Sequence, residues 1–341
     1  VGSTLIRQIS KQQKYLKEKE NIDLRITGIA NSRKMWVDEN GINLRAWKSN
    51  FKKKGRKMNL KRFTERVKKL NLRNSIFVDN TADAGITETY PEFLRKNISV
   101  VTPNKIACSS SHEEYNVLKD ITREYKSKFL FETNVGAGLP VISTLKDLIS
   151  SGDKIIRIEA VLSGTLNYIF NNYDGTEKFS EIVRKAKVEG FTEPDPRIDL
   201  SGIDVMRKIL ILVRESGYTF ELDQIENESF IPAECMKAKD LDHFYKLLDK
   251  HEKKFKAIYD KANSKGNKLK YVATFNQKSA NTGLKEIAND HPFYHLEGKD
   301  NIVLFYTNRY KEQPLVVKGA GAGAEVTASG IFADIIRIAN S

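Results

Sequence analysis

The sequence predicts an α/β chain in two parts: a doubly wound domain, then an α+β domain rich in strands. Three observations predict it. Up to about residue 131, short β-branched and aromatic runs alternate with stretches of helical period, the pattern of a parallel sheet covered by helices on both faces. Beyond residue 268, strand-like runs follow one another closely. The composition, 40% hydrophobic and 30% charged, is that of a soluble globular chain, and 341 residues can build two cores.

The elements follow in order. Leu5, Ile6, Ile9 and Tyr15 form a stripe among Lys and Gln that predicts a helix over 3–19, and 24–30 reads as a strand. A helix over 59–72 precedes a strand at 75–79. A helix over 86–96 precedes a strand at 98–101 that stops at Pro103. A helix over 111–127 leads to a strand at 129–131. An apolar strand at 154–162 runs into Gly164 and a helix. Further helices are expected at 178–189 and 199–217, with a long charged helical region at 238–264. Strands are expected at 268–275, 280–288, 301–307 and 314–318. A last helix at 326–340 is expected to return to the first domain. The boundaries drawn from this pattern are 1–137, 138–320 and 321–341.

The net charge of +13 is concentrated. Residues 52–73 hold eleven Lys and Arg against the single acid Glu65, and the rest of the chain is nearly balanced. Leu60, Phe63, Val67 and Leu70 recur there at helical spacing, so the stretch reads as an amphipathic helix with a basic solvent face. A polyanion-binding patch is the competing reading. It is weakened by the scarcity of aromatic residues, Phe51 and Phe63 alone, and nucleic acid is not the expected partner. Two cysteines, Cys108 and Cys235, make no disulfide framework and fit a reducing, cytoplasmic compartment. No signal peptide is evident at the start, and no run approaches the length of a membrane span. Of the five histidines only His291 and His295 are four apart, with Pro292 between them, so packing or surface roles are expected rather than a metal site.

The segment 190–208 carries the chemistry. A loop interrupted by Pro194 and Pro196 feeds a helix in which Asp204 and Lys208 share one face. Apolar residues surround that helix, and a lysine in such a place needs a partner. Burial disfavours a lysine's charge and a carboxylate restores it, a balance suited to moving a proton at an alcohol or carbonyl oxygen. An ordinary helix-surface ion pair is the plainer alternative. Glu193 and Asp199 add carboxylates suited to a small ammonium group; capping of the helix by Asp199 and of a turn by Asp195 is the alternative there.

The run Gly190-Phe191-Thr192-Glu193-Pro194-Asp195-Pro196, followed by Asp199-Leu200-Ser201-Gly202-Ile203-Asp204-Val205-Met206-Arg207-Lys208, resembles the signature of homoserine dehydrogenases. Val101–Lys105, Glu132–Pro140, Leu162–Ile169 and Gly319–Thr327 agree in order and spacing, so the resemblance spans the chain and is strongest to the dehydrogenase half of fused aspartokinase–homoserine dehydrogenases. It implies NAD(P)-dependent interconversion of L-homoserine and L-aspartate 4-semialdehyde by hydride transfer. Lys208 is then the acid/base on the substrate oxygen and Asp204 positions it. Glu193 and Asp199 hold the homoserine, Glu193 on its ammonium group, and Gly164 and Thr165 line the pocket. Lys105 lies near nicotinamide and substrate. The resemblance also implies a sodium-type monovalent cation on Glu132 and the carbonyls of Val135, Ala137 and Leu139, and a homodimer or higher homo-oligomer. A hinge needing Gly136 and Gly138 is the plainer reading of that loop. Phe191 stands where the family usually has Tyr.

A Rossmann-like domain cradles pyrophosphate on a Gly-x-Gly-x-x-Gly turn at a helix N-terminus. Val1-Gly2-Ser3 resembles the end of such a turn, so the first strand and first glycines are expected to lie upstream of Val1. Asn31, Ser32 and Arg33 follow the next strand with no acid to meet a ribose 2′-hydroxyl, and Arg33 or Lys34 suits a 2′-phosphate; NADP is therefore expected over NAD. Thr81 is expected beside the cofactor, and Gly323 at its nicotinamide end. Two other readings remain open: a nicotinamide enzyme acting on a different small acid, and a non-catalytic basic nucleic-acid-binding protein.

Overall fold

The computed structural model describes all residues 1–341, in two compact units. One is Val1–Thr133 with Ala324–Ser341; the other is Asn134–Gly323. No helix is long and apolar enough to cross a membrane.

The first unit begins with the helix Gly2–Lys19, which buries Leu5, Ile6, Ile9 and Leu16. Three strands follow: β1 (Gly28–Ala30), β2 (Lys34–Val37) and β3 (Arg56–Lys57). They form an antiparallel sheet in that order, not the parallel strand expected over 24–30. The reason is local. The Asn31 Oδ1 accepts the backbone N–H groups of Arg33 and Lys34 at 2.9 and 2.8 Å, closing a tight turn that sends the chain back along β1. The helix Leu60–Leu70, capped by Asn59, buries Phe63 and Thr64 and turns its basic side chains outward, as an amphipathic helix should.

Strands β4 (Ile76–Val78), β5 (Ser99–Val101) and β6 (Phe129–Leu130) form the parallel sheet. The helix expected over 86–96 is two short ones, Ala84–Thr87 and Tyr90–Leu94, because Pro91 brings no N–H and opens the second. The helix His112–Tyr125 leads into β6. The last helix, Ala324–Ala339, lies against Gly2–Lys19, where Ala328, Ile331 and Ile335 share a core with Leu5, Ile6, Ile9 and Val101.

The second unit is built on β7 (Ile155–Val161), β8 (Ile225–Glu228), β9 (Lys268–Phe275), β10 (Ala280–Ile287), β11 (Asp300–Thr307) and β12 (Leu315–Ala320). They form one sheet, ordered β12-β11-β7-β9-β10-β8, antiparallel throughout except where β8 joins β10. The helices Gly164–Asn172 and Ile203–Glu215 pack on β9. The continuous helix expected over 199–217 is broken by Gly202, and the one over 238–264 is broken at His251. Strand β8 was not legible: Ile-Glu-Asn-Glu offers one apolar residue, because an edge strand buries little.

Lys270 on β9 is fully buried and has no carboxylate partner. Its ammonium donates to Asn167 Oδ1 at 3.0 Å, to Asn171 Oδ1, and to the Leu296 carbonyl at 2.6 Å. The two asparagines in turn donate to the carbonyls of Leu296, Glu297 and Gly298, so the helix Gly164–Asn172 is clamped to both β9 and that loop. Burial, reinforced by Lys268, pushes the Lys270 pKa down to about 8 from 10.5. The folded chain therefore holds this proton less tightly than the unfolded one. The penalty is full below pH 8 and shrinks as pH rises toward 10.5. Relative to Lys270→Met, wild-type stability should gain up to about 3 kcal/mol across that range, read by urea denaturation at several pH values; a difference that stays flat would show an ordinary lysine.

Candidate active site

The segment 190–208 assembles its side chains within the second unit. Gly190, in the left-handed region at φ 73°, ends the helix Phe179–Val188 and lets the Phe191 N–H return to the Ala186 carbonyl at 2.8 Å. That turn aims the Phe191 carbonyl at the Thr165 hydroxyl, which donates to it. The same hydroxyl lies 3.0 Å from Asp199 Oδ1, and the Glu193 N–H donates to Asp199 Oδ2 at 2.8 Å. Thr165 has one proton for two acceptors. Burial pushes the Asp199 carboxyl up from the ordinary carboxylate value, and Glu193 and Asp204 nearby add to the rise.

Asp199 therefore holds the loop and caps no helix. The cap is Asp195, whose carboxylate accepts the Arg197 N–H at 3.0 Å and pairs with its guanidinium at 2.6 Å. That guanidinium holds the Asp195 carboxyl below the usual range. The Glu193 carboxylate is left exposed and without a partner. Gly164 is closely approached by its neighbour: a Cβ there would meet the Lys299 carbonyl at 3.0 Å.

The helix Ile203–Glu215 begins at Gly202, at φ 74°. A Cβ on Gly202 would stand 2.1 Å from the Tyr271 Oη, so the tyrosine on β9 leaves room there for a glycine alone. One turn in, Lys208 Nζ lies 2.8 Å from Asp204 Oδ2 and donates to the Leu162 carbonyl at 2.7 Å. The lysine side chain is 11% exposed and the aspartate 47%. Two of the three ammonium protons are engaged, which leaves one for a substrate oxygen. The structure thus joins Thr165, Asp199 and the Glu193 backbone in one group and Asp204 with Lys208 in another, with Asp204 near enough to Asp199 to raise its carboxyl further.

In the first unit, Val1 caps the opening helix with no side-chain bond to its first-turn N–H groups, and that turn carries no acid. Gly2 lies against Asn80, whose amide nitrogen is 3.5 Å from the position a Cβ would take. Asn80 Oδ1 is buried with no hydrogen-bond partner. The Thr81 N–H is held by Asp79 Oδ1 at 2.8 Å. Gly2 in the first turn of a helix, beside an orphaned polar atom at the carboxyl end of β4, fits a dinucleotide. Asn80 was missed in the sequence because an asparagine after a strand reads as a turn residue. Lys34 donates to the Lys52 carbonyl at 2.7 Å, whereas Arg33 is exposed and forms no ion pair, which narrows the choice between them.

The expected cation ligands are partly engaged. Glu132 is buried and pairs with Arg337 at 3.1 Å, its N–H donating to Asp334 Oδ2 at 3.0 Å. Separately, Gly136 and Ala137 are both left-handed, at φ 75° and 54°, and the Leu139 carbonyl accepts the Val141 N–H at 2.8 Å. Gly323, at φ 126°, belongs to the second unit.

Residues 140–336 match the homoserine dehydrogenase family model, and residues 1–132 match the model of the homoserine dehydrogenase NAD binding domain. The chain belongs to the homoserine dehydrogenase family. The homoserine dehydrogenase of Schizosaccharomyces pombe is 38% identical over 99% of this chain and 92% of its own length. The chloroplastic bifunctional aspartokinase/homoserine dehydrogenase 1 of Arabidopsis thaliana is 46% identical over 99% of this chain, which spans 38% of that protein. A Candida auris protein of unknown function superposes with a TM-score of 0.90 at 33% identity, over 99% of this chain and 95% of that one. A hyperthermophilic archaeal homoserine dehydrogenase in complex with NADPH shares the fold, with a TM-score of 0.75 at 24% identity over 100% and 94%.

Family membership sharpens one test of the site's framework. Gly202→Ala must force a left-handed alanine into the space of the Tyr271 hydroxyl. It should cost at least about 2 kcal/mol in urea denaturation, with a loss under half that size showing that the tyrosine simply swings away.

Proposed function

We propose that this chain catalyses the NAD(P)-dependent interconversion of L-homoserine and L-aspartate 4-semialdehyde, in the biosynthesis of threonine and methionine. The observation that carries the reading is Lys208: a nearly buried ammonium held by Asp204 and Leu162, with one proton uncommitted, among the carboxylates of a homoserine dehydrogenase-family domain. Glu193, exposed and unpaired, meets the substrate ammonium. Asp199 and Thr165 shape the loop that presents Glu193, and Gly164 lets the helix approach closely. The bound nicotinamide supplies or accepts the hydride at C4. In the direction of reduction Lys208 gives its proton to the aldehyde oxygen as the alcohol forms; in oxidation the amine takes the hydroxyl proton, and Asp204 keeps it aimed. Lys105, from the nucleotide-binding unit, adds a positive charge for the substrate carboxylate or the developing oxyanion.

The open helix N-terminus at Val1 and Gly2, with Asn31, Ser32, Arg33, Thr81 and Gly323, is assigned to the cofactor. The unpaired Arg33 favours NADP. A sodium-type cation on Glu132, Val135, Ala137 and Leu139 rests on the family resemblance, as does a homodimer; the open edges β12 and β8 would serve the latter. The two buried free thiols suit a reducing compartment such as the cytoplasm.

NADPH oxidation with aspartate semialdehyde by the natural full-length protein tests the reaction. Lys208→Ala should keep the fold and lower turnover by at least about 100-fold. No activity in the wild type would sink the assignment, and activity surviving the substitution would move the proton elsewhere. For the cofactor, Arg33→Ala should raise KM for NADPH roughly tenfold while leaving NADH unchanged. Equal effects on both would remove Arg33 from the 2′-phosphate.

A further inference from the structure

Beneath the loop that carries Lys105 lies a buried polar network that the proposed reaction does not use. Asp79 ends β4 and is 2% exposed; Tyr90 and Thr102 are fully buried, and Asn104 nearly so. The Tyr90 hydroxyl donates to Asp79 Oδ2 at 2.5 Å, and the Asn104 amide donates to the same oxygen at 3.1 Å. The Thr81 N–H donates to Asp79 Oδ1, and the Thr102 hydroxyl donates to the Asp79 carbonyl at 3.0 Å. No lysine, arginine or histidine pairs with this carboxylate. Its charge is answered by neutral donors alone, an arrangement that tolerates little slack because each lost donor leaves charge unsolvated.

The network does more than join β4 to β5. For that, Tyr90 and Thr102 would suffice. Asn104 extends it across the loop. Its amide nitrogen also donates to the Asp83 carbonyl at 3.1 Å, its Oδ1 accepts the Ile106 N–H at 3.1 Å, and its own N–H donates to Thr102 Oγ1 at 2.9 Å. Lys105 therefore sits between two residues whose backbone N–H groups are both held by this network, Asn104 by the Thr102 hydroxyl and Ile106 by the Asn104 side chain. Its carbonyl in turn accepts the N–H groups of Cys108 and Ser109, at 3.1 and 2.9 Å, in the short helix that follows.

We propose that Asp79, Tyr90 and Asn104 are positioning residues for the reaction, a single buried unit that fixes the backbone on both sides of Lys105. The inference rests on the reading of Lys105 as a working residue of the site. Burial and the Asp79 carboxylate raise the Tyr90 hydroxyl pKa far above the ordinary phenol value, so it stays a donor at every pH the protein would meet.

The test is a double-mutant cycle in the full-length protein, with kcat and KM measured for Tyr90→Phe, Asn104→Ala, Lys105→Ala and the two doubles with Lys105→Ala. Tyr90→Phe keeps the ring and removes one donor, so it should melt cooperatively and lose about tenfold in kcat/KM; Asn104→Ala should lose about 10- to 100-fold. In the Lys105→Ala background neither substitution should lower the rate further. Losses that multiply independently of Lys105 would overturn the proposal and leave the proposed reaction intact. Wild-type rates in Lys105→Ala would overturn both the role of Lys105 and the network's purpose. If Asn104→Ala fails to fold, Tyr90→Phe alone decides the cycle.

Discussion

The bond from Lys208 Nζ to the Leu162 carbonyl ties the helix Ile203–Glu215 to the residue just past the strand β7. That helix starts after Gly202, which is left-handed, and the Tyr271 hydroxyl on β9 fills the space a side chain there would need. Its starting point sets which turn faces Leu162, and so places Lys208 and Asp204. Through this tyrosine and glycine the sheet and the start of the Lys208 helix are packed directly together. Removing Asp204 would leave the lysine with a single neutral acceptor in a nearly dry place, a worse state than exchanging the pair for apolar residues.

The same rule, that an ionised group taken out of water must be answered, has three different solutions in this chain. Lys270 is met by three oxygens and every proton is spent, so it clamps a helix and has nothing left to offer a ligand. Asp79 is met by neutral donors and shapes a loop. Lys208 has a carboxylate and one carbonyl, an incomplete shell. Incompleteness is what separates Lys208 from Lys270, the first 11% exposed and the second fully buried.

Much of this was legible in the sequence. The period of the apolar residues located most helices and the long strands, and the four-residue spacing of Asp204 and Lys208 put both on one face, where the structure has them 2.8 Å apart. What escaped was set by geometry rather than by period. The β1–β2 reversal depends on one asparagine side chain, and β8 is an edge strand with little to bury. In the site, the spacing could not tell that Asp195 rather than Asp199 caps a helix: both accept a backbone N–H, but only that of Asp195 belongs to a helix's first turn. The orphaned Asn80 and the fully buried Lys270 carried no signal, because burial of a single polar residue within a strand or turn is a property of the assembled fold.

The first unit is assembled from both ends of the sequence. The apolar face of Gly2–Lys19 is covered by Ala328, Ile331 and Ile335 from the last helix. During translation that face leaves the ribosome hundreds of residues before its cover is made, whereas every strand of the sheet in the second unit is complete by Ala320. The second unit can therefore complete its sheet first, while the nucleotide-binding unit waits with open hydrophobic surface until Ala324–Ala339 has been made. A ribosome stalled before residue 324 would release a chain with a finished sheet and an unfinished partner, the kind of product that chaperones retain and proteases remove.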